Sequence, residues 1–237
     1  SVFGDIPKSP EQSGTTGGYK MKKWCFRYAW FILGVIINSF GIALITKAAL
    51  GTSPISSLPY VLSFEFPITL GGFTFIMNTF FIIGQIVLLR RNFEMIQLLQ
   101  MAVNVVFSGC IDVSMSLMNW LQPAGIWSQL LLLLAGCAVL AFGISVEVAP
   151  GVLMVPGEGI VKAISTVIHK KFGSVKIIFD VSLVAIATSL SFIFFFQLKG
   201  LGLGTIISAL IVGKIVNLIN RYFPLISHIS SLAKQEA

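Results

Sequence analysis

The segment GTSPISSLPYVLSFEF (residues 51–66) decides the fold, because it recurs in altered form 102 residues later as LMVPGEGIVKAISTVI (residues 153–168). Pro54 in the first segment aligns with Pro156 in the second. Three further anchors keep the same spacing: Phe40-Gly41-Ile42 with Phe142-Gly143-Ile144, Gly71 with Gly173, and Asn78 with Asp180. An internal repeat in an apolar chain is typical of transporters whose halves are related by pseudo-symmetry and bind a solute between them.

The composition predicts an all-α polytopic membrane protein. Of 237 residues, 56% are hydrophobic and 11% are charged, against roughly 25% charged residues in an ordinary soluble domain. Six apolar runs approach or reach the roughly 20 residues that cross a bilayer core. These runs are 26–46, 73–89, 95–120, 127–146, 177–198 and 203–218. A soluble fold would leave most of this apolar surface exposed to water.

The net charge of +7 does not indicate nucleic-acid binding, because the basic residues cluster at the ends of the apolar runs. They are Lys20, Lys22, Lys23, Arg27, Arg90, Arg91, Lys170, Lys171 and Arg221. This distribution is the positive-inside pattern of a multi-pass protein. We therefore expect a small-molecule solute and the lipid bilayer as partners, with a homo-oligomer possible and no nucleic acid.

The basic clusters also favour one topology, with both termini in the cytoplasm. If residues 51–66 dip into the membrane and return, Arg90 and Arg91 stay on the cytoplasmic side, and the second segment likewise keeps Lys170 and Arg221 there. Six spans and two short Pro-broken segments satisfy the rule, and three spans per repeat make the two copies inverted. Eight spans with parallel repeats is the alternative.

The chain divides into two membrane repeats and two flanking segments. Residues 21–122 form the first repeat and residues 123–225 the second. Residues 1–20 are polar and rich in Gly, Ser and Pro, so we interpret them as a disordered tail or a tag or linker remnant. Residues 226–237 are interpreted as a cytoplasmic tail.

The Pro-broken segments are candidate solute-facing elements. Non-helical backbone at membrane depth is tolerated where it is buried in protein or lines a water-filled cavity. Ordinary Pro-kinked loops are the alternative, and the alignment of Pro54 with Pro156 favours the cavity.

The second repeat carries charges where the first carries neutral polar groups. Glu158 and Lys162 are four residues apart, as are Lys176 and Asp180, so each pair shares a helical face. Their counterparts are Ser56, Tyr60, Thr74 and Asn78. A charge inside the membrane costs at least ~2.5 kcal/mol on insertion scales. We predict either a site for a charged or zwitterionic solute, including a proton or cation relay, or a set of structural ion pairs.

Two further features belong to the candidate site. Gln100, Asn104, Ser108 and Asp112 recur every four residues along the fourth run, and such a stripe either lines a cavity or bonds neighbouring helices. Glu147 lies near the end of the fifth run, opposite Ile45 in the first repeat. It is a candidate coupling residue, with snorkelling to the interface as the alternative.

No enzymatic pattern is present in the sequence. The two histidines, His169 and His228, lie at the ends of apolar runs, and there is no catalytic triad, phosphate loop or metal-ligand spacing. We therefore expect no enzymatic activity, no cofactor, no metal and no catalytic residue.

Three stretches carry a resemblance to a known family: ALGTSPISSLPYVLS (residues 49–63), VLMVPGEGIVKAIS (residues 152–165) and FGSVKIIFDVSLV (residues 172–184). Over roughly residues 24–225 the chain resembles the YczE/YyaS/YitT-type bacterial integral membrane proteins. The resemblance implies a repeated Gly/Pro-containing segment followed by a span, and it implies architecture more than activity.

These features together predict a secondary transporter or permease for a small polar, charged or zwitterionic solute. The expected solute-binding residues are Glu158, Lys162, Lys176, Asp180, Ser56, Tyr60, Asn78, Asn104 and Asp112, with Glu147 as the coupling candidate. A substrate-binding membrane subunit or a non-transporting sensor or assembly factor is the alternative.

Overall fold

The computed structural model describes residues 13–90 and 95–234, and across those ranges the chain is all-helical, with nine α-helices and no strand. The helices are α1 (Ser13–Lys47), α2 (Pro54–Glu65), α3 (Leu70–Leu89), α4 (Leu99–Leu117), α5 (Ile126–Val148), α6 (Pro156–Val167), α7 (Phe172–Phe195), α8 (Leu203–Tyr222) and α9 (Pro224–Lys234). A single 3₁₀ turn, Met95–Leu98, precedes α4. Residues 1–12 and Arg91 lie outside the described ranges. Residues 13–20 of the expected tail are helical, and α9 covers most of the expected C-terminal tail.

Six of these helices are long and apolar enough to cross a membrane: α1 over Trp24–Lys47, and the whole of α3, α4, α5, α7 and α8. Their outer faces carry large apolar side chains, such as Phe80 at 67% exposure and Ile178 at 68%. Such a surface is favourable in lipid and costly in water. The predicted six-span, multi-pass architecture is confirmed.

The helices α2 and α6 are half-helices, because each has 12 residues and so reaches only about 18 Å. Pro54 and Pro156 each stand in the first turn, after an extended residue. Proline suits that position, since the N–H it lacks would have no partner inside the helix. A short Pro-containing connection, residues 66–69, follows α2, and α6 ends before His169, whose φ is 52°.

The centre of the fold is the antiparallel pair α1 and α5, which pack without intervening side chains at four glycines. Gly34 lies against Glu147 and Gly41 against Leu140, while Gly136 lies against Ile45 and Gly143 against Asn38. In every pair the two residue numbers sum to 181, as antiparallel helices require. The buried core forms around this pair and includes Phe31, Ile42, Leu133 and Leu140.

Helices α3 and α4 fix the path of α2. Helix α4 runs parallel to α1, because Phe31 neighbours Ala102 and Phe40 neighbours Leu117 along the grooves between them. Helix α3 is antiparallel to α4, and bonds join Gly71 to Asp112, Asn78 to Asn104, and Gln85 to Gln100. The end of α1 and the start of α3 therefore share one end of the bundle, and α2 enters and leaves there.

The second half has the same arrangement at the opposite end. Helix α8 begins beside α1's last turn, where Gly204 N donates to Leu50 O at 2.7 Å, so α8 is parallel to α5. Helix α7 is antiparallel to α3, because Phe194 packs on Phe66 at 5.8 Å and Phe179 on Phe81 at 5.3 Å. The end of α5 and the start of α7 thus share the other end, where α6 enters and leaves. The alternative of eight spans is wrong.

Candidate functional site

The two half-helices meet at their N-termini inside the bundle. The Ile55 side chain fills the space beside Gly157, so a Cβ at Gly157 would clash with Ile55 Cδ1. These two residues are themselves 102 positions apart. The first turn of a helix has N–H groups without intrahelical partners and carries the positive end of the helix dipole. Two such ends converge here, from opposite ends of the bundle.

Three of the four predicted charged residues come together beside this meeting point. Lys176 Nζ lies 3.0 Å from Asp180 Oδ1 on α7, and their side chains are 26% and 22% exposed. Glu158, in the first turn of α6, interacts electrostatically with both: Lys176 attracts its charge and Asp180 repels it. Lys176 thus pairs with Asp180, and its charge also acts on Glu158.

Lys162 does not join this group, which corrects the sequence-based expectation. Its side chain is exposed. Among the residues whose side chains the structure describes, an ion pair joins Lys176 to Asp180 and none joins Lys162 to Glu158. Four residues on a 3.6-residue helix differ by about 40° in direction, and a long lysine side chain extends to keep its ammonium group outside the interior. The shared helical face therefore does not bring Lys162 to Glu158.

Glu147 is the carboxylate buried most deeply in the helix bundle, at 1% exposure. Its Oε2 accepts from Asn38 Nδ2 on α1 at 2.8 Å, and its Oε1 accepts from Val155 N at 3.3 Å. Val155 is the residue that precedes α6, so Glu147 ties α1 to the start of that half-helix. The alternative of snorkelling to the interface is wrong.

The polar stripe of α4 bonds to α3. Asn104 Oδ1 accepts from Asn78 Nδ2 at 2.9 Å, and its Nδ2 donates to Phe75 O at 3.0 Å. Asp112 binds the start of α3, accepting from Thr69 Oγ1 at 2.7 Å and from Gly71 N at 2.9 Å. In this conformation the three residues hold α3 and α4 together. Bonding between neighbouring helices was the second interpretation of the α4 stripe, beside the lining of a cavity.

The remaining two predicted residues lie on α2. Ser56 is buried, and its hydroxyl accepts from Ser53 Oγ at 3.0 Å in the first turn. Tyr60 is half-buried against Phe64, with ring centroids 4.6 Å apart. Both residues belong to the half-helix opposite α6, and the structure pairs them locally and not with the charged group.

Two polar residues of the site, Gln85 and Asn38, were not among the predicted site residues. Gln85 exchanges bonds with Gln100 and donates to Pro156 O at 3.3 Å, so it reaches the first turn of α6. Gly159 packs directly on the Gln85 amide, since a Cβ there would lie 2.7 Å from Oε1. Asn38 is the hydrogen-bond partner of Glu147. The available signal for Gln85 and for Asn38 was a polar residue within an apolar run.

Comparison with known proteins places the chain in one family. A family model described as "Family of unknown function (DUF6198)" matches residues 25–221, which run from α1 to α8. No curated protein and no solved structure matches the chain.

Proposed function

This chain belongs to the DUF6198 family, whose function is unknown, and we propose that it is a secondary transporter or permease in the bacterial cytoplasmic membrane. The solute is a small polar, charged or zwitterionic molecule bound between the two halves of the chain. The proposal includes no enzymatic step, places both termini in the cytoplasm, and keeps the resemblance to the YczE/YyaS/YitT-type proteins as a prediction.

The proposal includes an inverted repeat, which the glycine contacts support. Adding 102 to Gly34 gives Gly136, and subtracting 102 from Glu147 gives Ile45, so the contact Gly34–Glu147 becomes Ile45–Gly136. The contact Gly41–Leu140 becomes Asn38–Gly143 in the same way. A two-fold axis between α1 and α5 interchanges such pairs. Inverted repeats of this kind underlie alternating access in many secondary transporters.

The observation that carries the proposal is the meeting of the two half-helices at Ile55 and Gly157. Discontinuous helices at the repeat interface are where secondary transporters bind solutes, with N-termini directed at anionic groups. Glu158, Lys176 and Asp180 adjoin α6 and supply both signs of charge. A solute with a carboxylate, or with separated positive and negative groups, is the class that these groups recognise best.

A second candidate is a non-transporting sensor or assembly factor, or a substrate-binding subunit of a larger system. It is favoured by the mutual pairing of polar groups in the described core: Asn78 with Asn104, Gln85 with Gln100, and Lys176 with Asp180. A site closed by its own side chains is also what a transporter presents between its two open states, so this pairing is compatible with transport.

A binding screen followed by flux measurements tests the proposal. The purified chain is screened for thermal stabilisation by small carboxylates, amino acids, amines and neutral polar solutes. Solutes that stabilise it are then followed into proteoliposomes and into protein-free liposomes. We expect at least one solute to stabilise the chain and to enter the proteoliposomes faster than the protein-free liposomes.

Two glycine variants connect the flux to the half-helices. Gly157→Val wedges α6 away from Ile55, whereas Gly109→Val adds the same side chain where nothing lies within 4 Å. We expect flux to be lost in the first variant and kept in the second. Flux that survives Gly157→Val, or a screen without a transported solute, contradicts the proposal.

A further inference from the structure

The two half-helices are anchored by different chemistry. The segment that leads into α2 is held by neutral groups: Thr52 Oγ1 bonds Thr46 Oγ1 at 2.8 Å, Thr52 N donates to Thr205 Oγ1 at 3.2 Å, and Ser208 Oγ donates to Thr52 O at 3.4 Å. Hydroxyl and backbone amide groups keep their charge state across the physiological pH range. The anchoring of α2 is therefore independent of pH.

The segment that leads into α6 is held by a carboxylate. Val155 N donates to Glu147 Oε1 at 3.3 Å, and the residue equivalent to Glu147 in the first repeat is the apolar Ile45. Upstream, Arg27 Nε donates to Pro150 O at 3.0 Å and fixes the end of α5 to α1. Arg27 Nη2 also donates to Gly151 O at 3.4 Å, and Gly151 has φ 59°, a conformation that glycine adopts without strain.

The two hydrogen bonds to Glu147 are unequal. The bond from Asn38 is 2.8 Å long and the bond from Val155 is 3.3 Å long. Bonds to an ionised carboxylate are roughly twice as strong as bonds between neutral groups. A proton on Glu147 removes that gain from both bonds and turns one acceptor oxygen into a donor. The longer bond, to the start of α6, is the one that fails first.

Among the charged groups on neighbouring helices, Glu158 of α6 is the one whose charge acts on Glu147. Among the residues whose side chains the structure describes, the other charged or titratable groups on the elements around α5 and α6 include Arg27 and Lys47 on α1, Lys162 on α6, Lys176 and Asp180 on α7, Lys214 and Arg221 on α8, and His228 on α9. Two carboxylates close together in a low-dielectric interior oppose each other's ionisation. Glu158 N donates to Val155 O at 3.0 Å, and Val155 N donates to Glu147, so Glu158 is the neighbouring carboxylate to neutralise when Glu147 is tested as a proton site.

We propose that Glu147 is the binding site of a coupling proton, and that protonation there releases the start of α6 while α2 stays anchored. The proton is a coupling ion only if the chain transports, as proposed above, whereas α6 is released by protonation in either case.

Hydrogen–deuterium exchange on the full chain in lipid nanodiscs tests this proposal. Exchange is measured between pH 5 and pH 9, corrected for intrinsic amide chemistry, and compared between peptides covering residues 152–160 and 50–58. The bond to Val155 is present above the midpoint of the Glu147 titration and is lost as the pH falls through it. We expect exchange at the start of α6 to accelerate roughly tenfold relative to α2, the effect of losing one charge-assisted hydrogen bond.

Three variants make the result decisive. Glu147→Gln mimics the protonated side chain and should exchange rapidly at every pH. Glu158→Gln keeps Glu147 and should move the midpoint of the exchange response to lower pH. Glu65→Gln removes an exposed carboxylate on α2 and should leave the exchange of both peptides unchanged. A pH response that persists in Glu147→Gln, an unmoved midpoint in Glu158→Gln, or equal responses of α2 and α6 overturns the proposal. Release of α6 without solute flux in proteoliposomes overturns the transport function alone.

Discussion

Lys176 is the nearby cation for two carboxylates, because Asp180 accepts its hydrogen bond at 3.0 Å and its charge also attracts that of Glu158. The three side chains therefore respond unequally to removal. Loss of Lys176 leaves two carboxylates without their cation, whereas loss of Asp180 leaves Lys176 facing Glu158. An uncompensated charge in a partly buried site costs more than the loss of a matched pair.

We expect Lys176→Met to lower the free energy of unfolding by about 1–3 kcal/mol. Asp180→Leu should cost less, and the double variant Lys176→Met with Asp180→Leu should also cost less than Lys176→Met alone. Thermal unfolding in detergent at pH 7 measures this order. Lys162→Met is the matched control, since that lysine is exposed and its loss should stay within about 0.5 kcal/mol.

The same variants separate a binding role from a structural one. If Lys176 and Asp180 contact the solute, the double variant folds but loses the stabilisation that the solute gives the parent chain. A double variant that is stable and responds fully to the solute contradicts the assignment of both residues to the site.

Residue-level reasoning from the sequence found one pair of partners four residues apart on one helix, missed the other such pair, and did not find partners on two different helices. The bond between Lys176 and Asp180 follows from their spacing, but the pairing of Asn38 with Glu147 depends on the register of α1 against α5. That register is set by glycines whose contacts a sequence does not display. The exposure of the Lys162 side chain likewise depends on which surface of α6 the neighbouring helices cover.

At the scale of the elements, four glycines determine how closely α1 and α5 approach. A Cβ on Gly41 would lie 2.5 Å from Leu140 N, and a Cβ on Gly143 would lie 2.5 Å from Asn38 N. Small residues at helix interfaces let the backbones come close, which is a main source of packing energy between membrane helices. The position of Asn38 relative to Glu147 depends on this approach.

We therefore expect Gly41→Val to force the helices apart and to lower the free energy of unfolding by about 1–3 kcal/mol. Gly213→Val is the control, because nothing lies within 4 Å of that position on α8. Thermal unfolding of both variants measures the difference. Equal stability of the two variants would show that α1 and α5 are not in glycine-mediated contact.

The half-helices illustrate what the sequence predicts at this scale. Their existence follows from Pro54 and Pro156 and from the shortness of the segments, and both begin at those prolines. Their meeting at Ile55 and Gly157 does not follow, since it depends on the packing of α3 and α7 around them. The stripe on α4 was visible in the sequence, but its direction toward α3 was not.

At the scale of the whole molecule, the helix directions place the connections at two ends of the bundle. One end of the bundle carries the connections 48–53, 66–69, 118–125 and 196–202. The other end carries the end of α3 and the connections 149–155 and 168–171. The basic residues Arg27, Arg90, Lys170 and Lys171 all belong to the second end. Because the first end carries fewer basic residues, Lys47 and Lys199, the positive-inside rule favours our proposal that the second end faces the cytoplasm.

Cysteine labelling in cells tests this orientation. A cysteine at Leu89, beside Arg90, should react only with a membrane-permeant thiol reagent, and a cysteine at Pro67 should react with an impermeant one. Reaction of the Leu89 variant from outside the cell would invert the proposed orientation.

The most direct test of the account is a reversible crosslink between the half-helices, because solute passage where they meet is its central claim. Ile55→Cys and Gly157→Cys are combined in a chain whose Cys25, Cys110 and Cys137 are replaced, and solute flux in proteoliposomes is measured before oxidation, after it, and after reduction. We predict that a disulfide forms between the two half-helices, that flux stops, that reduction restores it, and that neither single-cysteine variant responds. A crosslink that forms fully and leaves the flux unchanged would contradict the account, and so would the failure of the two cysteines to crosslink.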